Sequence, residues 1–176
     1  MWRLGIALML WGPIVMAGNR WNVVLPGGLM HFQGKLITEA CTVDAGDSHL
    51  SVSMGQVSSN RFRRVGDDAD PVPFDLHLQN CSTRVSQRIG ILFQGVADGK
   101  NPEVLSVGEG VGIATGVGIA LFDDTGHLLP INASSQGRAL RAGTRAIHFV
   151  AKYRATGHEV TGGIASAQAW FTLTYQ

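Results

Sequence analysis

Past its first seventeen residues the chain alternates apolar and polar positions in short bursts. Residues 29–36 set Met30, Phe32 and Gly34 on one face and His31, Gln33 and Lys35 on the other. Leu50-Ser51-Val52-Ser53-Met54 alternates again, and Pro73 to Leu78 puts Phe74, Leu76 and Leu78 opposite Asp75 and His77. Ile89 to Phe93 and Val117 to Phe122 are mostly apolar, and Asp123-Asp124-Thr125-Gly126 ends the second of them as a turn. Ile147 to Tyr153 and Ala167 to Tyr175 complete the set. Period-two alternation in short runs between glycine-rich turns predicts an all-β antiparallel sandwich. No long amphipathic helix, internal repeat or linker interrupts the pattern, so a single domain is expected.

The first seventeen residues follow another rule. Arg3 supplies a positive charge, Leu4 to Val15 is apolar apart from Gly5, Gly12 and Pro13, and Val15-Met16-Ala17 suits a cleavage site. This is a secretory signal peptide pattern. As a membrane anchor the run is short of the ~20 residues a spanning helix needs. Its removal takes away Arg3 and leaves 13 basic and 13 acidic side chains. That balance holds no basic excess for nucleic acid and no basic amphipathic helix for a membrane surface.

An exported chain meets an oxidising compartment, and this one has two cysteines, Cys41 and Cys81. An even pair in that setting reads as one disulfide. A metal site would need further ligands, and the six histidines are scattered without paired spacing.

Other local patterns carry little chemistry. The glycines at 108, 110, 112, 116 and 118 lack the spacing of a phosphate-binding fingerprint and read as a loop or bulged strand. Asp67-Asp68-Ala69-Asp70 lacks the spacing of a calcium loop and reads as a solvated loop. Arg61, Arg63 and Arg64 surround Phe62 as a solvated or partner-facing cluster. Asn80-Cys81-Ser82 and Asn132-Ala133-Ser134 match glycosylation sequons, the first overlapping the cysteine. No serine sits in a nucleophile elbow, and no carboxylate pair is marked for acid–base work. No catalytic, cofactor-binding or metal-binding residue is expected, and no small-molecule substrate.

The two ends of the mature chain speak most clearly. Phe171, Leu173 and Tyr175 share one face of the last strand, whose edge needs a partner. The alternating N-terminal arm is suited to donate a strand to another molecule. These ends, together with the Gly-Gly-x-x-His-Phe-x-Gly run from Gly27 to Gly34, the cysteine spacing, Pro71-Val72-Pro73-Phe74, Gly95-Val96-Ala97-Asp98, Gly118-Ile119-Ala120-Leu121, Pro130-Ile131-Asn132 and the terminal Phe-x-Leu-x-Tyr-Gln, resemble the subunits of type 1 fimbriae. These are the pilins of chaperone–usher pili. The resemblance covers essentially the whole mature chain, and within the family it is nearest to the minor fimbrin-like subunit encoded beside the major rod pilin. An adhesin would need a further lectin domain, for which 159 mature residues leave no room.

The resemblance implies an incomplete immunoglobulin-like sandwich lacking its last strand, completed by a donor strand from a chaperone or a neighbour. It divides the chain into a signal peptide (1–17), a donor-strand arm (18–35) and a pilin domain (36–176). The expected partners are a periplasmic pilus chaperone, an outer-membrane usher and other pilus subunits. The chain would pass through the periplasm to the cell-surface fimbrium, or to its base at the outer membrane, and contribute to fimbrium biogenesis and cell adhesion. Gly28, Met30, Phe32 and Gly34 would enter a neighbour's groove, and Phe171, Leu173 and Tyr175 would line this subunit's own groove and be read by the chaperone. Pro26, on the groove-facing parity of the arm, cannot donate to a ladder. It points to a minor or assembly-terminating subunit. The alternative from another class is a free periplasmic or secreted binding protein with a pilin-like sandwich.

Overall fold

The computed structural model describes residues 39–176. The signal segment, the strand expected over residues 29–36, and the arm residues Gly28, Met30, Phe32 and Gly34 lie outside the described residues.

Strands β1 (Thr42–Val43), β2 (Asp68–Cys81), β3 (Arg88–Gly95), β4 (Leu105–Ser106), β5 (Val117–Asp123), β6 (Arg138–Ala139), β7 (Gly143–Ala155) and β8 (Ala169–Tyr175) form two antiparallel sheets. One runs β1-β2-β7-β5-β4 and the other β6-β3-β8. The central ladder is β2 against β7, with Phe74 opposite Phe149 and Leu76 opposite Ile147. Its alternation follows the sequence: Leu76 and Leu78 are buried while Asp75 and His77 face outwards, and Asp75 pairs with His148 at 2.7 Å. The register of β2 shifts between Ala69 and Val72, where Asp70 takes φ +43° and Pro71 brings no N–H to the ladder.

β5 is buried along nearly its whole length. Val117, Ile119 and Leu121 enter the main core. Ala120 and Phe122 face the other way and pack with Val104 under Leu128 and Val150. The Lys152 ammonium lies 4.2 Å from the Phe122 ring centroid and seals this smaller cluster.

The sheets meet at three aromatic rings. Phe149 stacks on Phe74 at 5.4 Å and receives the edge of Phe93 from the other sheet at 5.3 Å. At one end of the sandwich the Cys41–Cys81 disulfide joins the start of β1 to the end of β2, and both cysteines are buried.

Two expectations are corrected. Leu50 to Met54 alternates as a strand should, yet it belongs to no ladder. Alternation prepares a segment for a sheet, but a strand exists only where a neighbour takes its hydrogen bonds. Asp67 to Asp70 is not a solvated loop. The Asp67 carboxylate accepts from the amides of Arg63 and Arg64 at 2.8 and 2.9 Å. Asp68 opens β2 and takes a two-pronged bond from Arg154 at 2.6 and 2.9 Å. Arg64 and Arg61 face Asp67 and Asp70, and Phe62 packs on the core. The second sequon is a clasp: Asn132 accepts from the Gly95 amide at 3.1 Å and donates to the Gly95 carbonyl at 3.0 Å.

The Asp123 turn anchors β5. Asp123 accepts from the Thr125 amide and hydroxyl at 2.9 and 2.6 Å and from the His127 amide at 2.9 Å, and Arg138 lies 3.1 Å away. Burial opposes its charge, but these bonds outweigh it and lower its pKa from 3.8 to about 2. The fold therefore favours the carboxylate. Its contribution is complete above pH ~4 and is lost as the pH falls through about 2. Asp123→Asn is expected to cost roughly 1–3 kcal/mol at neutral pH. It should also flatten the loss of stability on the acid side, both read from urea unfolding across pH.

The disulfide closes a loop with a sequence separation of 40. Chain-entropy arithmetic puts its contribution at about 4 kcal/mol. The Cys41→Ala/Cys81→Ala double variant is expected to lose most of that in denaturant unfolding.

Candidate functional site

β8 is the last strand of its sheet, hydrogen-bonded to β3 on one side with Phe171 opposite Phe93 and Leu173 opposite Ile91. Among the described residues no strand pairs with its other edge. A hollow of about 480 Å³ lies between Leu50, Val52 and Met54 on one wall and Trp170 and Phe171 on the other. Its floor is the core itself: Phe74, Leu121 and Ala151 from one sheet, Phe93 from the other. A second hollow of about 450 Å³ follows in line, between Gly55 to Phe62 and Val160 to Ala165, over Val117 and Tyr153. Together they make a groove, mostly apolar in the first hollow and mixed in the second, beside a segment and a strand edge that pair with no other strand among the described residues.

The groove walls are held in place by different means. The chain leaving Cys41 passes through β1 into a 3-10 turn, Ala45–His49, that brings Leu50 to the rim. Asp47 fixes that turn, bonding both the backbone amide and the ring of His77 on β2. On the far wall, Ile164 pairs with Ile113 and Thr161 with Thr115. The Tyr153 hydroxyl donates to the Ala165 carbonyl at 3.0 Å. Gly163 lies so close to the backbone of Ile113 and Ala114 that any Cβ would collide with it. At one end the walls are tied together: the Tyr175 hydroxyl donates to the Cys41 carbonyl at 3.0 Å and accepts from its amide at 3.2 Å. Burial pushes the Tyr175 hydroxyl above its ordinary pKa, partly offset by its bond to Cys41, and so keeps it neutral and able to donate.

Phe171, Leu173 and Tyr175 are thus brought to one face of β8, partly buried against the core. Phe171 lines the groove, Leu173 packs inward and Tyr175 clamps the closed end. Cys41 and Cys81 form the disulfide at that end. Of the opposite wall, Leu50 to Val57, the alternation marks only Leu50 to Met54, as a strand, and what distinguishes it is that it joins no ladder among the described residues. Alternation alone assigns Trp170 no role. It faces outwards, 69% exposed, beside the groove. Among the described residues no group of three histidine, cysteine or acidic side chains could hold a metal ion, and no helix is long and apolar enough to cross a membrane.

A two-sheet antiparallel sandwich with one strand missing and its core open along the gap defines an incomplete immunoglobulin-like fold, the fold of the pilins. Solved structures agree. An antigen and type I fimbria protein of Burkholderia pseudomallei superposes with TM-score 0.61 at 36% identity, covering 79% of this chain and 92% of that one. The P pilus rod subunit PapA superposes with TM-score 0.66 at 25% identity, covering 78% and 100%. Residues 30–176 match the family described as fimbrial protein, and the chain belongs to that family. The putative fimbrin-like protein FimI of Salmonella typhi is 35% identical over 97% of this chain and 95% of its own length. The type-1 fimbrial protein C chain of Escherichia coli is 38% identical over 85% and 84%. The chain is a fimbrial subunit of the chaperone–usher kind, a structural protein and not an enzyme.

Tyr175→Phe removes both bonds to Cys41 and leaves a buried amide unpaired. It is expected to cost about 1–3 kcal/mol in denaturant unfolding.

Proposed function

We propose that this subunit is assembled by donor-strand exchange, as a minor component of its pilus. A periplasmic chaperone first lays a strand along β8. At the outer-membrane usher the arm of another subunit replaces it, and the fibre carries the subunit to the cell surface, where it contributes to adhesion. The observation that carries this reading is the groove: among the described residues Leu50 to Val57 joins no ladder, no strand pairs with the outer edge of β8, and the floor between them is core. An added strand would satisfy the backbone of both walls and cover the apolar floor in one step. Alternate residues of a strand point to one face. The groove face of this chain's own arm carries Gly28, Met30, Phe32 and Gly34, two bulky apolar residues between glycines. Those four residues are the proposed donors, and Phe171, Leu173 and Tyr175 the strand the chaperone reads.

Pro26 removes one ladder donor from the arm and slows donation, which suits rare incorporation. Termination asks for more, a groove that refuses an incoming arm. Two open hollows reaching from Leu50 to Phe62 along the first wall favour an internal minor position over a terminating one.

The test uses the full chain purified with its chaperone and a peptide of residues 18–36. The wild-type peptide is expected to displace the chaperone and a Phe32→Asp peptide to fail, because a buried unpaired charge is costly. A groove that never takes the wild-type peptide sinks the donor-strand reading. A rod-pilin arm peptide should also enter this groove; its exclusion would restore the terminating role.

A further inference from the structure

Trp170 is the one large apolar side chain on the outer face of β8. Its neighbours there are Thr172 and Thr174, while Phe171, Leu173 and Tyr175 point inward. It stands opposite Gln94 of β3, 69% exposed, at the rim of the larger hollow. Neither core packing nor the ladder to β3 accounts for an indole in that place. An edge strand that presents a bare aromatic to solvent is also an aggregation hazard.

A strand laid along the free edge of β8 changes its setting. Such a strand sends alternate residues into the groove, and the residues between them stand on the outer face, beside Trp170, Thr172 and Thr174. Outer-face neighbours on adjacent strands lie close enough for aromatic side chains to touch, directly or on the diagonal. In this chain's own arm the residues of opposite parity to Met30, Phe32 and Gly34 are His31, Gln33 and Lys35. Two of these three have nitrogen-bearing side chains that can carry positive charge, and an exposed indole face attracts a cation.

We propose that Trp170 is a clamp on the outer side of the groove, and that its occupant is a donor arm with a basic outer face, a chemistry that this chain's own arm carries in His31 and Lys35. The inner pockets select apolar size. Trp170 adds a separate selection on the opposite side of the same strand, favouring arms with a basic outer face. The inference rests on the donor-strand reading above and adds a residue that this reading does not use.

The experiment is a double-mutant cycle with the full chain bound to its chaperone, as wild type and as Trp170→Thr. Threonine matches the other outer-face residues of β8, and recovery of the chaperone complex reports folding. Peptides of residues 18–36 are loaded as wild type, His31→Ser and Lys35→Ser, and their release is timed. Trp170→Thr is expected to speed release of the wild-type peptide about two- to five-fold. That loss should disappear with one of the two serine peptides, and Trp170→Phe should recover part of it. Equal release from both grooves, or the same loss with all three peptides, overturns the clamp while leaving the donor-strand reading intact. If no peptide enters either groove, both readings fall. If Trp170→Thr does not yield a complex, release from Trp170→Phe decides: a rate equal to wild type with every peptide overturns the clamp.

Discussion

Backbone groups shut away from water must be hydrogen-bonded, and among the described residues a strand meets that demand on one side of β8 only. Everything distinctive about the molecule follows from the unmet side. The residues that would face a completed sheet pair, Leu50 to Val57 and β8, stand across a gap floored by Phe74, Phe93, Leu121 and Ala151. A sandwich normally closes its core by covering it with strands from both sheets. Here no strand of the described residues covers it, and the core stands open along the gap.

What holds the incomplete sandwich together is unevenly placed. The β2–β7 ladder and the Phe74–Phe149–Phe93 cluster fix the two sheets through the middle. The disulfide and the Tyr175–Cys41 bonds fix one end. Because the groove's first wall descends from Cys41 and its second ends at Tyr175, those bonds tie the walls at one end and leave them untied along their length. The Thr115–Thr161 and Ile113–Ile164 pairs hold the second wall against the segment before β5 and do not reach the first.

The long strands were legible because each buries one face. Pro73 to Leu78 and Ile147 to Tyr153 alternate in the sequence and lie in register in the sheet. β5 reads as uniformly apolar because its outer face is covered as well, by Val104 and Leu128. The two-residue strands β1, β4 and β6 were not legible: pairs of residues such as Arg138–Ala139 carry no period, and only their partners define them. The groove was half legible. Phe171, Leu173 and Tyr175 announced one wall by alternation. The other wall announced a strand, and nothing local in Leu50 to Met54 says that its partner is absent, since that is a property of the whole sheet. Asp67 and Asp68 misled for a related reason. A run of carboxylates looks solvated until a ladder brings Arg154 to Asp68 across the sheet.

Exchange of one strand for another in such a groove is nearly neutral in its backbone bonds. Each candidate offers the same repeating donors and acceptors to β8, so the ladder itself does not choose between them. The choice falls to side chains, and a strand has two faces on which to express it. On the inner face, burial of apolar area is the larger quantity, at about 25 cal/mol per Å², and it rewards residues that fill both hollows. On the outer face the contacts are weaker and solvated. They tell apart strands that fill the hollows equally well. A subunit whose edge strand carries only small polar residues outside leaves that second selection unused. The indole of Trp170, placed where the outer face of any added strand must pass, puts it to use.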